Sequence, residues 1–242
     1  MDYATEYEQQ DFFAADAALD ERTAFIRRTY AHVFGAVAAL VAIEAFFLST
    51  PAIVNTLVPL LFGHWWITLI AFMAVSWIAE RWAHSDVSQG TQYMGLGLYV
   101  LAEAVILCPL LAIAMTFGSP DLIPMAAFLT LLIFAGLTAI VMLTKSDFSF
   151  LRNILWLGGL VAIGTIFASM IMGFSLGLVF VSAMIALMSG WILYDTSNIV
   201  HHYRTDQHVG AALALFASIA TLFWYMVQLL MLLGGGGGGG GD

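Results

Sequence analysis

Apolar residues along the chain are collected into seven long runs that short polar segments separate. Each run has about 18 to 25 residues, enough for an α-helix to cross roughly 30 Å of hydrocarbon. A transmembrane β-barrel would need strands of alternating apolar and polar residues, and the runs show no such alternation. The pattern therefore predicts an all-α integral membrane protein, a bundle of seven transmembrane helices. The predicted spans are Thr29–Ser49, Thr56–Trp77, Tyr93–Phe117, Leu122–Thr144, Asn153–Phe174, Ser175–Tyr194 and Val209–Leu233.

Composition supports a lipid environment, because 62% of the residues are hydrophobic and only 10% are charged. Soluble domains carry about 25% charged residues. Residues 1–28 form an acidic leader without the basic start of a signal peptide, so we expect a retained N-terminal tail. Residues 29–233 form the transmembrane domain, and the poly-Gly segment 234–242 is too flexible to fold. The net charge of −9 argues against a nucleic-acid partner.

The positive charges predict how the chain is oriented. Every Lys and Arg lies outside the predicted spans, in segments that alternate helices would place on one side of the membrane. Basic loops stay in the cytoplasm, so we expect a cytoplasmic N-terminus and a C-terminus outside. The residues concerned are Arg22, Arg27, Arg28, Arg81, Lys145, Arg152 and Arg204.

Small and polar residues indicate how the helices pack. The last span carries a stripe of them on one face, which predicts a central last helix with this stripe against other helices or a water-filled cleft. Glycines in the fifth span, among them Gly158, Gly159 and Gly164, predict close packing within the bundle. The stripe consists of Ala211, Ala214, Ser218, Thr221, Tyr225 and Gln228.

Ionisable residues inside predicted spans are candidates for function, because burying them in lipid is costly. Glu103 lies near the middle of the third span, so it is protonated, hydrogen-bonded across helices or facing a cavity; functional and structural explanations both stand. Asp195 lies near the cytoplasmic end of the sixth span, and Glu44 lies in the outer half of the first. The histidines after Asp195 favour a solvated loop over a metal site, and no catalytic motif indicates an enzyme.

One motif resembles a known family. The residues from Thr144 to Leu151 read Thr-Lys-Ser-Asp-Phe-Ser-Phe-Leu, and this element is similar to the signature of the Bax inhibitor/YccA-like family. Its marker residues here are Thr144, Lys145, Asp147, Phe148 and Ser149. Asp147 or Ser149 is also placed to cap the next helix. The resemblance implies a seven-helix bundle in which six helices surround a hydrophobic central one, and a bacterial-type member in the cytoplasmic (inner) membrane.

The resemblance also implies a function. One group of the family passes calcium in a pH-sensitive way through a pair of aspartates, one on each of the last two helices. Asp195 matches the first aspartate by its Leu-Tyr-Asp context, whereas Ser218 stands where the second is expected. A hydroxyl can hydrogen-bond a carboxylate but cannot share a proton as a second carboxylate would. The first hypothesis is therefore a calcium leak gated at Asp195, with Ser218 and Glu103 lining the path, weak Ca²⁺ binding and no other cofactor.

The other group of the family supplies the alternative. Its members bind a membrane-anchored, ATP-dependent quality-control protease and modulate its activity, with a contribution from the cytoplasmic N-terminal tail. The acidic leader of this chain is compatible with such a contact. The expected partners are thus the lipid bilayer together with a cation or an integral membrane protease.

Overall fold

The computed structural model describes residues 13–15, 17–85 and 88–235. Regular secondary structure in these ranges is α-helical, apart from one isolated bridge between Phe13 and Arg204, which confirms the all-α class. Residues 1–12 and 16 of the predicted N-terminal tail, and the poly-Gly tail from residue 236 onwards, lie outside the described residues. The helices of these ranges are α1 (Leu19–Ser49), α2 (Pro51–Gly63), α3 (Trp65–Ala83), α4 (Gln89–Phe117), α5 (Leu122–Thr144), α6 (Leu151–Met172), α7 (Leu178–His201) and α8 (His208–Gly235).

Six of these helices are long and apolar enough to cross a membrane by themselves: α1, α4, α5, α6, α7 and α8. Helices α2 and α3 pass the same test only as a pair, and they are bent by 100° at the break between them. The prediction of one uninterrupted span over Thr56–Trp77 is therefore wrong. The helix ends at Gly63, a residue type that often terminates helices, and His64 has non-helical dihedral angles.

Helix α1 begins at Leu19, ten residues before the predicted first span and inside the segment assigned to the N-terminal tail. The helix starts this early because residues 19–28, although several of them are charged, form helical turns with one apolar side that packs against the bundle. Phe25 is 1% exposed and belongs to a buried cluster with Ile192 and Ile199 of α7. Hydropathy alone misses such a helical extension, because the charged residues on its other side lower the average.

Four chain segments meet at one end of the bundle. The backbone amide of Ala14 donates a hydrogen bond to the carbonyl of Tyr203 at 2.8 Å, and His84 Nε2 lies 3.4 Å from the Tyr203 hydroxyl. The amide of Phe148 donates to Ser197 Oγ at 2.8 Å. The segments before α1, after α3, after α5 and after α7 are thereby joined, and the Lys and Arg residues all lie in them or in adjoining helix ends. We call this the basic end.

Helix α8 packs against α1, α3, α4, α5 and α7. Three of its large apolar side chains, Leu213, Phe216 and Leu222, are completely buried. On the polar stripe of the same helix, Ser218 and Tyr225 are buried as well. These two residues of the stripe therefore lie inside the bundle, as do the three apolar side chains.

Glycines bring α6 and α7 together at one crossing only. A Cβ atom at Gly158 would lie 2.7 Å from Cδ1 of Leu187, and one at Gly190 would lie 2.7 Å from Cδ2 of Leu155. Each glycine therefore receives a leucine from the opposite helix. Gly159 and Gly164 have nothing within 4 Å of such a Cβ, so the expectation that they also serve packing inside the bundle is wrong.

Candidate functional site

Asp195 of α7 and Ser218 of α8 form a direct contact inside the bundle. The Ser218 hydroxyl donates a hydrogen bond of 2.6 Å to Oδ2 of Asp195. The two residues are only 7% and 8% exposed. A short hydrogen bond to a carboxylate is among the stronger polar contacts in proteins. Two of the three side chains proposed for the ion path are thus brought together by the structure.

Glu103 lies elsewhere, half-way along α4 and 4% exposed. Among the described residues, none donates a hydrogen bond to its Oε2 atom. Its electrostatic neighbour is Glu44 of α1, which is 5% exposed and has no hydrogen-bond partner in the described chain at either carboxylate oxygen. The structure therefore pairs Glu103 with Glu44 and does not join it to Asp195 by a hydrogen bond.

Glu103 also lines a cavity of about 710 Å³. The cavity reaches from Glu103 to the break between α2 and α3, the segment between α6 and α7, and the last turns of α8. These segments lie at the end of the bundle opposite the basic end. Three residues of the α8 stripe, Thr221, Tyr225 and Gln228, contribute to its wall. The stripe thus runs from the Asp195 contact to the cavity.

Glu80 of α3 is a carboxylate that the sequence analysis missed. It interacts electrostatically with Asp195, with Tyr99 of α4 and with Tyr203 after α7. Burial raises the pKa of the Tyr203 hydroxyl, and the nearby carboxylates of Asp195 and Glu80 raise it further. Glu80 escaped notice because it follows the predicted end of the second span at Trp77, where an acidic residue is ordinary.

The family motif forms the connection between α5 and α6. Thr144 is the last residue of α5, and its hydroxyl donates to the carbonyl of Ile140 at 2.7 Å. Lys145 follows with a left-handed backbone, φ 51°, and its amide donates to the carbonyl of Val141 at 2.9 Å. This conformation ends the helix and turns the chain towards α7.

Asp147 and Phe148 attach this connection to α7 through Ser197. Oδ1 of Asp147 accepts a hydrogen bond of 2.8 Å from the amide of Ser149 and one of 3.3 Å from the Ser197 hydroxyl. The Ser197 Oγ in turn accepts from the amide of Phe148 at 2.8 Å. Ser197 was also missed, although it stands two residues after Asp195 in the sequence.

The predicted cap of the following helix is wrong. The N-cap position of α6 is Phe150, and no side chain of the described residues caps the helix. Asp147 instead bonds the Ser149 amide, which lies before the helix, because the connection folds back onto α7. The hydrogen bond from the Ser149 amide is the main reason why the pKa of Asp147 lies below its usual range. His202 lowers this pKa by a smaller amount, and its Nε2 atom lies 3.8 Å from Oδ2 of Asp147.

His201 is the last residue of α7 and His208 the first of α8, and between them Asp206 pairs with Arg204 at 2.9 Å. Among the described residues, no group of three or more His, Cys, Asp or Glu side chains has an arrangement that could hold a metal ion. The polar geometry of the structure is therefore concentrated at the Asp195–Ser218 contact, the Glu44–Glu103 pair with its cavity, and the motif connection.

The chain is similar in sequence to known membrane proteins. The family model described as "Inhibitor of apoptosis-promoting Bax1" matches residues 22–235. "Bax inhibitor 1" of Schizosaccharomyces pombe is 27% identical over 223 residues, which cover 89% of this chain and 79% of that protein. "Modulator of FtsH protease YccA" of Escherichia coli K12 is 32% identical over 126 residues, 52% of this chain and 57% of YccA.

A membrane protein of Vibrio cholerae is 33% identical over 114 residues, which span 47% of this chain and 51% of that protein. The matches to the Vibrio protein and to YccA thus cover little more than half of those relatives. The family match covers α1 to α8, including the motif connection and the Asp195–Ser218 contact. This helical membrane protein therefore belongs to the Bax inhibitor family.

Proposed function

We propose that the protein lets cations, calcium among them, leak down their gradient through the bundle, and that the Asp195–Ser218 contact holds the path closed. The observation that carries the proposal is the 2.6 Å hydrogen bond, because it ties α7 to α8 inside the bundle. In this proposal the bent α2–α3 pair is one broken span, so that the bundle has seven spans and six of them surround α8. The N-terminus lies in the cytoplasm, the C-terminus outside, and the membrane is a bacterial cytoplasmic membrane.

The strength of the contact suits a gate. A hydrogen bond to a charged group contributes about 1.5–3 kcal/mol, which favours the joined arrangement of two helices by roughly ten- to hundredfold. Calcium prefers six to eight oxygen ligands, and a carboxylate with one hydroxyl supplies few of them. The ion would therefore bind weakly, keep much of its water and pass through.

An aromatic contact supports a closed path in the described structure. Tyr99 lies one turn of α4 before Glu103, and its ring meets the ring of Phe216 edge-on at a centroid distance of 6.1 Å. Phe216 is in turn two residues before Ser218 on α8. We place this pair between the cavity and the Asp195–Ser218 contact, so that ions would pass from one to the other only when α8 shifts.

Flux into liposomes tests the gate. The purified chain is reconstituted with a calcium dye inside the vesicles, and Ser218→Ala should raise the rate of calcium entry about tenfold because the helices lose their link. Ser189→Ala is the matched control, since the Ser189 hydroxyl donates to the carbonyl of Ile185 in its own helix at 2.8 Å and bonds no other helix in the described part of the chain. Equal rates in the two variants would refute the gate.

The carboxylate is tested separately. Asp195→Asn keeps a group that accepts the Ser218 hydrogen bond but removes the charge that attracts a cation. We expect calcium flux to fall while the thermal stability of the protein changes little. Flux that is unchanged in this variant, or wild-type vesicles no leakier than empty ones, would end the proposal of a cation leak.

The name of the Escherichia coli relative supports a second candidate, a modulator of a membrane-anchored ATP-dependent protease. Its interface would be α6, which packs mainly against α7 and leaves Gly159 and Gly164 open for a partner helix. Co-purification with such a protease tests it. Deleting residues 1–19 and replacing Gly159 with Leu should each reduce the protease recovered, and full recovery with both changes would exclude this function.

A further inference from the structure

The Glu44–Glu103 pair leaves buried acceptors without donors. Three of its four carboxylate oxygens, both of Glu44 and Oε2 of Glu103, are buried, and no described residue donates a hydrogen bond to them. Buried polar groups in folded proteins are almost always paired, so an exception calls for an explanation. Because the sequence has no Lys or Arg inside the spans near these residues, the chain does not supply a positive charge for them.

Glu103 makes this pair accessible to a ligand. It is 4% exposed and forms part of the wall of the 710 Å³ cavity, whereas Glu44 lies behind it on α1. Small-molecule sites in proteins have volumes of about 300–1,000 Å³, so the cavity has the size of a ligand site. Its wall combines a single acidic group with a largely apolar surface.

Two hydroxyls of the wall, those of Thr68 and Thr221, have partners within the chain. The Thr68 hydroxyl lies 3.3 Å from the carbonyl oxygens of Leu61 and His64, and the Thr221 hydroxyl donates to the carbonyl of Ala217 at 2.9 Å. Neither hydroxyl needs a ligand. Among the described residues that line the cavity, Glu103 alone has an acidic or basic side chain, so it is the group that sets the charge of a matching ligand.

Aromatic side chains make up much of the remaining wall. Their faces attract cations, and this attraction strengthens when water is excluded. A positive charge held near Glu103 would thus be favoured both by the carboxylate and by the rings. The aromatic residues of the wall are Phe62, Trp65, Phe72, Phe180, Trp224 and Tyr225.

We propose that this cavity binds a lipophilic ammonium compound, an apolar body with one protonated amine that donates a hydrogen bond to Glu103. An anion is disfavoured, because the described residues of the wall include a carboxylate and no Lys, Arg or His. A bare divalent metal ion is disfavoured as well, because it needs six to eight oxygen ligands and the apolar wall offers few. A single organic cation satisfies the unpaired oxygen and fills the apolar volume at once.

The binding experiment uses the full-length chain in nanodiscs and a pair of probes of the same shape. One probe is a biphenyl with a dimethylaminomethyl group, which is protonated at neutral pH, and the other is the uncharged carbon analogue with an isobutyl group. Binding to empty nanodiscs is subtracted for both. The amine should bind at least about tenfold more tightly than the analogue, because only the amine forms a charge-assisted hydrogen bond.

Variants locate the site. Glu103→Gln should remove the preference for the amine, whereas Glu21→Gln, which changes an exposed carboxylate of α1 far from the cavity wall, should leave it intact. Ile106→Trp, which fills the cavity, should weaken both probes. Gel filtration and a melting curve establish that each variant is folded. The comparison of the two probes on the wild-type chain needs no variant, so the test stands even if Glu103→Gln does not fold.

Two results would overturn the proposal. Equal affinity of the wild-type chain for both probes would show that the cavity binds apolar molecules without recognising their charge. A phospholipid that remains bound in native mass spectrometry and is not displaced by the amine would show that the cavity is a lipid site. Neither result depends on whether the protein conducts calcium, so the outcome is independent of the proposed leak.

Discussion

Replacing Gly95 with Ala should separate α3 from α4, because this glycine marks a close approach of two helix backbones. A Cβ atom at Gly95 would lie 2.5 Å from the carbonyl oxygen of Ala79 and 2.6 Å from the amide nitrogen of Ala83. Both neighbours are backbone atoms, which cannot rotate away as a side chain can. Ordinary van der Waals contacts need 3.4–4 Å, so the helices would have to move apart by about an ångström.

The size of the effect follows from two opposing contributions. Overpacking of this kind lowers the free energy of unfolding by up to about 3 kcal/mol, whereas replacing glycine by alanine within a helix raises it by about 1 kcal/mol. Gly97→Ala is the matched control on the same helix, because nothing lies within 4 Å of a Cβ atom there. The control gains the helix contribution without the clash. The two variants should therefore differ by about 3 kcal/mol.

Thermal unfolding in one detergent measures this difference. For a chain of this length, 1 kcal/mol corresponds to about 2–4 °C, so Gly95→Ala should melt about 6–12 °C below Gly97→Ala. Comparing two alanine variants cancels the difference in helix propensity. If Gly95→Ala melts at or above the temperature of Gly97→Ala, the close approach of α3 and α4 is not part of the folded protein.

Two further predictions concern the motif connection. The amide of Ser149 holds the pKa of Asp147 below its usual range, so the stability that Asp147 contributes is present above about pH 4 and lost as the pH falls through the lowered pKa. Asp147→Asn should therefore lower the melting temperature at neutral pH, and this deficit should shrink in acid; a deficit that is constant with pH would contradict the assignment. Lys145 has φ 51°, a left-handed conformation. This conformation destabilises the fold by about 1 kcal/mol for a residue with a Cβ atom and by little for glycine. Lys145→Gly should raise the melting temperature and Lys145→Val should lower it, and the reverse order would contradict the left-handed turn.

The sequence predicted most helices because membrane spans are set by the length of apolar runs, which can be read in one dimension. The prediction for α5, Leu122–Thr144, agrees with the structure at both ends. It failed at the second span, where Gly63 and His64 interrupt an otherwise apolar run and the chain bends by 100°. Hydropathy averages over such a pair, whereas backbone geometry depends on the individual residues.

The candidate site was predicted less completely, because side-chain partners depend on how each helix is rotated about its axis. The link between Asp195 and Ser218 could be anticipated, since both positions follow from the family pattern and neighbouring helices carry them. The sequence placed Glu103 beside Asp195 and Ser218 only because its position along its helix suggested a similar depth in the membrane. In the structure Glu103 interacts instead with Glu44. Apolar residues cover most faces of these helices, so hydropathy gave no information about rotation.

Helix α7 joins the motif connection between α5 and α6 to the buried carboxylate of Asp195. Asp195 and Ser197 are two residues apart, and side chains at this spacing point to different sides of a helix. On one side α7 is bonded to α8 through Ser218, and on the other it is bonded to the α5–α6 connection through Phe148 and Asp147. The same short segment of α7 is therefore held from two directions. A displacement of α7 that breaks the Asp195 contact must also strain or release the motif connection, although the two are distant in sequence.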